Sequence, residues 1–64
     1  MDEPALLLSP TAAAHLLGCG RTHLYGLLSR GELRSIRVGR LRRIPRSEIE
    51  AYVDRQLSAQ REDH

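Results

Sequence analysis

The stretch Cys19-Gly20-Arg21-Thr22-His23-Leu24-Tyr25-Gly26-Leu27-Leu28-Ser29-Arg30 decides how this chain folds. Leu24, Leu27 and Leu28 stand at i, i+3 and i+4, so a helix puts them on one face. At about 100° per residue, Thr22, Gly26 and Ser29 then point the opposite way. Arg21 and Tyr25 border that outward face on one side, His23 and Arg30 on the other. A leucine-backed helix with a small polar face and long cationic borders is suited to meeting something closely on its far side.

Upstream, Ser9-Pro10 reads as a helix start, with Ser9 as the cap and Pro10 in the first helical position. The predicted helix runs through Leu17, with Ala13, Leu16 and Leu17 on its buried face, His15 at the surface and Ala12 or Ala14 free to meet another backbone. Gly18 can take the left-handed conformation that ends a helix, and Cys19 is expected to point inward as a small hydrophobe. Gly20 precedes the next helix without a capping side chain. Two short helices this close together form a helix-turn-helix candidate. Ala5 to Leu8 is expected to dock in extended form, and Met1 to Pro4 to fray.

Downstream, Gly31 terminates the leucine helix and Leu33 folds back onto the core. The period then changes. Ile36 and Val38 alternate with Ser35 and Arg37 as a half-buried strand does, Gly39-Arg40 marks a turn, and Leu41 to Ile44 returns. A two-residue type II′ turn would set Val38 opposite Leu41; a three-residue connection would pair Val38 with Arg42 and Ile36 with Ile44. The second register buries both isoleucines together and is the one expected. A third helix follows Pro45, either from the capping-box spacing of Ser47 and Glu50 or from Arg46. Its predicted inner stripe is Ile49, Tyr52, Val53 and Leu57, and the polar sequence from Ser58 is expected to fray.

At 64 residues the chain is one small domain, with no room for a large enclosed substrate cavity. Its single cysteine can form no internal disulfide, which favours a reducing, intracellular setting, and no Cys/His cluster has zinc spacing. No stretch is apolar for long enough to cross a membrane. Charge is informative through its distribution. Cys19 to Ser47 holds eight arginines (Arg21, Arg30, Arg34, Arg37, Arg40, Arg42, Arg43, Arg46) against one acid, Glu32, a local charge of +7 within a net +2. Such a field is a polyanion footprint. All ten basic residues are arginine, which suits bidentate phosphate and guanine contacts and equally fits a bias in genome composition.

These features point to double-stranded DNA. The second helix enters the major groove: Arg21 reaches a guanine edge or phosphate, Thr22 and His23 bond to bases, and the Tyr25 hydroxyl reaches a phosphate. Gly26 either lets the backbone approach the duplex or is a tolerated weak spot. The hairpin with Arg37, Gly39, Arg40, Arg42 and Arg43 lies over the backbone or enters a minor groove. RNA is disfavoured because Tyr25 alone offers an exposed aromatic platform, Tyr52 reading as core. Enzymatic chemistry has no basis here: Cys19 has no evident His base, Gly18-Cys19-Gly20-Arg21 lacks phosphate-loop spacing, and no carboxylate cluster suggests a metal. No cofactor is expected.

With these residues in view, the chain resembles the small excisionase-like DNA-binding domains, a winged-helix branch related to the MerR-type regulators. The resemblance runs from about Leu7 to Val53. It is carried by Leu7-Leu8-Ser9, Ala13 and Ala14 with Leu16-Leu17-Gly18, Arg21 through Leu28, Gly31-Glu32-Leu33, Ile36-Arg37-Val38-Gly39-Arg40, Arg43-Ile44-Pro45 and Ile49-Glu50-Ala51-Tyr52. It implies a mainly α winged helix-turn-helix: an arm at 1–8, the domain at 9–57 and a flexible tail at 58–64. It further implies a recognition helix at Arg21 to Ser29, extended by Arg30, and a DNA-contacting wing around Gly39 and Arg40. Excisionases of this kind bind repeated sites, associate cooperatively there, and steer a phage or element integrase, of the tyrosine or serine type, toward excision without strand chemistry of their own. Sister proteins regulate transcription with the same domain. Either role places the protein in the cytoplasm, on the nucleoid of a bacterial host. A third possibility is a protein-interaction module using Leu57 to His64. The chain departs from the family pattern at Gly20, where a capping Ser or Thr is usual, and at His23, Gly26, Leu41 and Arg42, the last standing where an aromatic is common.

Overall fold

The computed structural model describes residues 5–61; the expected fraying of Met1 to Pro4 and the last three residues, 62–64, lie outside them. The elements in chain order are β1 (Leu7–Leu8), α1 (Pro10–Leu17), α2 (Arg21–Ser29), β2 (Ile36–Val38), β3 (Leu41–Pro45) and α3 (Arg46–Arg61). The strands form one antiparallel sheet in the order β1-β3-β2, which puts β3 in the centre.

Local chemistry sets the helix ends. Ser9 is extended and its hydroxyl accepts the Ala12 N–H at 3.1 Å, with Pro10 in the first turn, as expected. Both α1 and α2 close with the same pair of bonds. Gly18 and Cys19 N–H donate to the His15 and Ala14 carbonyls at 3.1 and 3.0 Å; Gly31 and Glu32 N–H donate to Leu28 and Leu27 at 3.2 and 2.9 Å. Each pair satisfies two carbonyls that a helix end leaves free, and it requires a left-handed residue, which Gly31 supplies with φ +76°. Gly20 starts α2 with no side-chain cap.

The core is Leu8, Ala13, Ala14, Leu24, Leu27, Leu33, Ile44 and Ile49, with Leu17, Cys19, Leu28 and Tyr52 packed against it. The leucine face of α2, Leu33, Ile49 and Tyr52 thus fall where the sequence put them. Leu16 does not; it is 49% exposed. The inner face of α1 is centred between Ala13 and Ala14, which line up with Leu17 at i+4 and i+3 and leave Leu16 to one side.

The hairpin register is the two-residue one: Ile36 pairs with Arg43, Arg37 with Arg42 and Val38 with Leu41. Gly39 has φ +65°, and among the described residues no non-glycine has positive φ, so the turn has the sign pattern of type II′. This corrects the expected pairing of Ile36 with Ile44. The partner of Ile44 is Leu8 on β1, and both are buried. Ile36 and Val38 lie on the opposite side of the sheet, each 47% exposed. Helix α3 begins at Arg46, directly after Pro45, so Ser47 lies inside the first turn and forms no capping box. Val53 and Leu57, expected on the inner stripe, are exposed, because the core ends under the first half of α3. The helix nevertheless continues through Arg61, past the boundary expected at Ser58.

The register has a direct stability test. Ile44→Ala should cost about 2–5 kcal/mol in urea unfolding, while Ile36→Thr should stay within about 0.5 kcal/mol. Comparable losses at the two positions would restore the alternative pairing.

Candidate nucleic-acid interface

Helix α2 is buried on its leucine face and open on the other. Arg21, Thr22, His23, Tyr25, Ser29 and Arg30 are all exposed, and Gly26 is half-buried. The wing residues Arg37, Gly39, Arg40 and Arg42 are exposed as well, and Arg43 is half-buried. No predicted site residue is in the core.

Two arrangements on α2 go beyond the sequence reading. The Arg21 guanidinium carbon lies 5.9 Å from the centroid of the Tyr25 ring, within cation–π range. The i, i+4 spacing of the two residues was the available signal. The space outside Gly26 is not empty. A Cβ there would lie 3.2 Å from Arg30 Nη1, so Arg30 reaches back one turn across this position. Its Nε donates to Glu32 Oε2 at 2.9 Å. His23 also borders a recess of about 130 Å³ with Leu17, Cys19, Leu27 and Tyr52, so it lies between the outward face and the packing behind it.

On the wing, Arg37 and Arg42 stand directly across the ladder from each other. Like charges so placed are destabilising unless an anion lies against them. Arg43 Nη1 donates to the Arg42 carbonyl at 3.0 Å, which holds its guanidinium along the strand. Arg46 has a structural task. Its backbone N–H donates to the Leu6 carbonyl at 2.8 Å and its side-chain Nε to the Ala5 carbonyl at 3.0 Å, so the side chain fastens the segment that leads into β1. Sequence counting cannot separate it from the rest, because its partners are about forty residues away.

A polar cleft of about 410 Å³ lies between the end of α2 and α3. Its groups are largely committed to one another: Arg34 N–H donates to Glu48 Oε1 at 3.2 Å, and Arg55 Nη2 to the Glu32 carbonyl at 2.8 Å. Among the described residues no three His, Cys, Asp or Glu side chains are grouped to hold a metal ion, and no helix is long and apolar enough to cross a membrane.

Two helices joined by a short turn, with a three-stranded sheet whose β2–β3 hairpin forms a wing, define a winged helix-turn-helix. The chain belongs to the helix-turn-helix domain family, which it matches over residues 7–57. It is 49% identical over 55 residues to a probable excisionase of Saccharopolyspora erythraea, an alignment that covers 86% of this chain and 56% of the relative. The chain thus spans a little over half the length of that curated relative. The resemblance to excisionase-like domains read from the sequence is borne out. No solved structure matches the chain.

The division of labour among the arginines is open to measurement. Arg46→Ala should lower stability by about 1 kcal/mol, the usual net worth of such hydrogen bonds. Arg40→Ala at the exposed turn should leave it within about 0.5 kcal/mol. Both are read from urea midpoints, and equal losses would contradict the separate roles.

Proposed function

We propose that this chain is a sequence-specific double-stranded DNA-binding accessory protein of site-specific recombination, an excisionase. The observation that carries the reading is the 49% identity to a probable excisionase across nearly the whole winged domain. The arginine surface agrees with it. Helix α2 offers Arg21, Thr22, His23, Tyr25, Ser29 and Arg30 to the major groove, and the wing offers Arg37, Arg40, Arg42 and Arg43 to the backbone or a minor groove. The protein performs no strand chemistry; it shapes or coats the DNA for an integrase of the tyrosine or serine type. Copies associate cooperatively on repeated sites. Leu7, Ile36, Val38 and Leu41, exposed together on the outer face of the sheet, support contact between neighbours. The working location is the bacterial nucleoid.

The direct test is in vitro excision with the cognate integrase. Addition of the chain should shift the reaction toward excision. Specific promoter binding with no stimulation of excision would replace this role by transcriptional regulation through the same surface.

Two substitutions separate base reading from phosphate contact. Arg21→Ala should weaken the specific site more than random duplex; an equal loss on all sequences would reassign Arg21 to the backbone. Arg40→Ala should lower affinity and reduce the slope of log K against log salt by about one, if it neutralises one phosphate. An unchanged slope would exclude that contact.

A further inference from the structure

Glu32 is the one acid between Cys19 and Ser47, a stretch that holds eight arginines. An acid there repels any polyanion that approaches, so its placement calls for a reason. Stability is a weak one: the Arg30 and Glu32 side chains are 56% and 42% exposed, and such pairs contribute about 0–1 kcal/mol. The local geometry gives a better one. The Glu32 backbone is fixed at both ends, its N–H on the Leu27 carbonyl at 2.9 Å and its carbonyl receiving Arg55 Nη2 at 2.8 Å. Its side chain therefore starts from a fixed backbone, and its carboxylate accepts Arg30 Nε at 2.9 Å.

The held guanidinium lies over Gly26, in the middle of the outward face of α2, and not at the border where the position of its Cα would leave it. With Nη1 at 3.2 Å from where a Cβ on residue 26 would be, an alanine there makes the guanidinium give by a few tenths of an ångström, and a bulkier side chain displaces it. Glycine inside a helix costs about 1 kcal/mol relative to alanine. A seat for the Arg30 head group accounts for that cost better than a close backbone approach, because the space is already filled. With Nε committed to Glu32, four of the five guanidinium N–H groups remain free on the two Nη atoms.

We propose that Arg30 reads a guanine edge from the centre of α2, and that Glu32 and Gly26 are its positioning residues, one as anchor and the other as seat. A phosphate accepts a cation from many directions. The O6 and N7 acceptors of guanine require a fork held in one orientation, which a buttressed guanidinium supplies. This inference rests on the DNA-binding reading above.

The test is selection from a pool of randomised duplexes by the full chain, followed by affinity measurement on the site that the unmodified protein enriches. Arg30→Ala should lose the preference for guanine at one position, a loss of about fivefold to 100-fold. Glu32→Ala, which removes the anchor, should lose preference at that same position by a comparable factor, and Gly26→Ala by a smaller one. Gly26→Ala is informative because it favours the helix itself, so its far-UV circular dichroism and urea midpoint should hold or rise while specificity falls. If Glu32→Ala keeps the original preference, or tightens all duplexes alike as removal of a repelling charge would, the positioning role is overturned. Failure of the unmodified chain to bind any duplex would remove the DNA-binding reading itself. Duplex binding with preferences unaltered in Glu32→Ala would remove this inference alone.

Discussion

The side chain on which the arrangement turns is Ile44. It is fully buried on the central strand, cross-strand from Leu8, and the chain leaves it through Pro45 straight into α3. Because successive strand residues face opposite sides, burying Ile44 also settles the facing of its neighbours: Arg42 shares its side and Arg43 takes the other. The wing is therefore aimed from its base. Burying one isoleucine is worth about 1.5–3 kcal/mol. A domain of this length has roughly 3–10 kcal/mol in total, taking about 0.05–0.15 kcal/mol per residue. One side chain thus carries a large part of the margin that holds both the sheet and the orientation of its arginines.

Much of this was legible because the deciding signals are local. Ser9 and Pro10 start a helix within three residues, Gly18 and Gly31 end helices within four, and Leu24, Leu27 and Leu28 mark a face within five. The hairpin register was not legible in the same way. Ile36, Val38, Leu41 and Ile44 are all apolar, and either pairing satisfies their alternation. The structure has the two-residue connection, with Gly39 in the positive-φ position that a type II′ turn requires, and Ile44 finds its buried neighbour in Leu8 on the other side of β3. Val53 and Leu57 misled for a related reason. They continue the stripe of Ile49 at helical spacing, but periodicity does not say how far a core of eight buried residues extends beneath a 16-residue helix. At the candidate site, the residue types and their outward facing were readable. The Arg30 fold-back and the structural task of Arg46 depend on where Glu32 and the Ala5–Leu6 backbone come to rest, and that is a tertiary outcome.

The arginines divide by position in the fold. Near the far end of β3 from the turn, Arg46 is spent on main-chain carbonyls. At the wing, Arg37, Arg40 and Arg42 are exposed, and the first and last of these face each other across the ladder. Directly opposed residues lie about 4.5–5.5 Å apart at Cβ, inside the screening length of about 8 Å at physiological salt. Two cations based this close repel unless their long side chains splay apart or an anion lies between them. Burial at the base and like charge at the wing are set by the two pairings of one strand: β1 places Leu8 beside Ile44, and β2 sets Arg37 against Arg42.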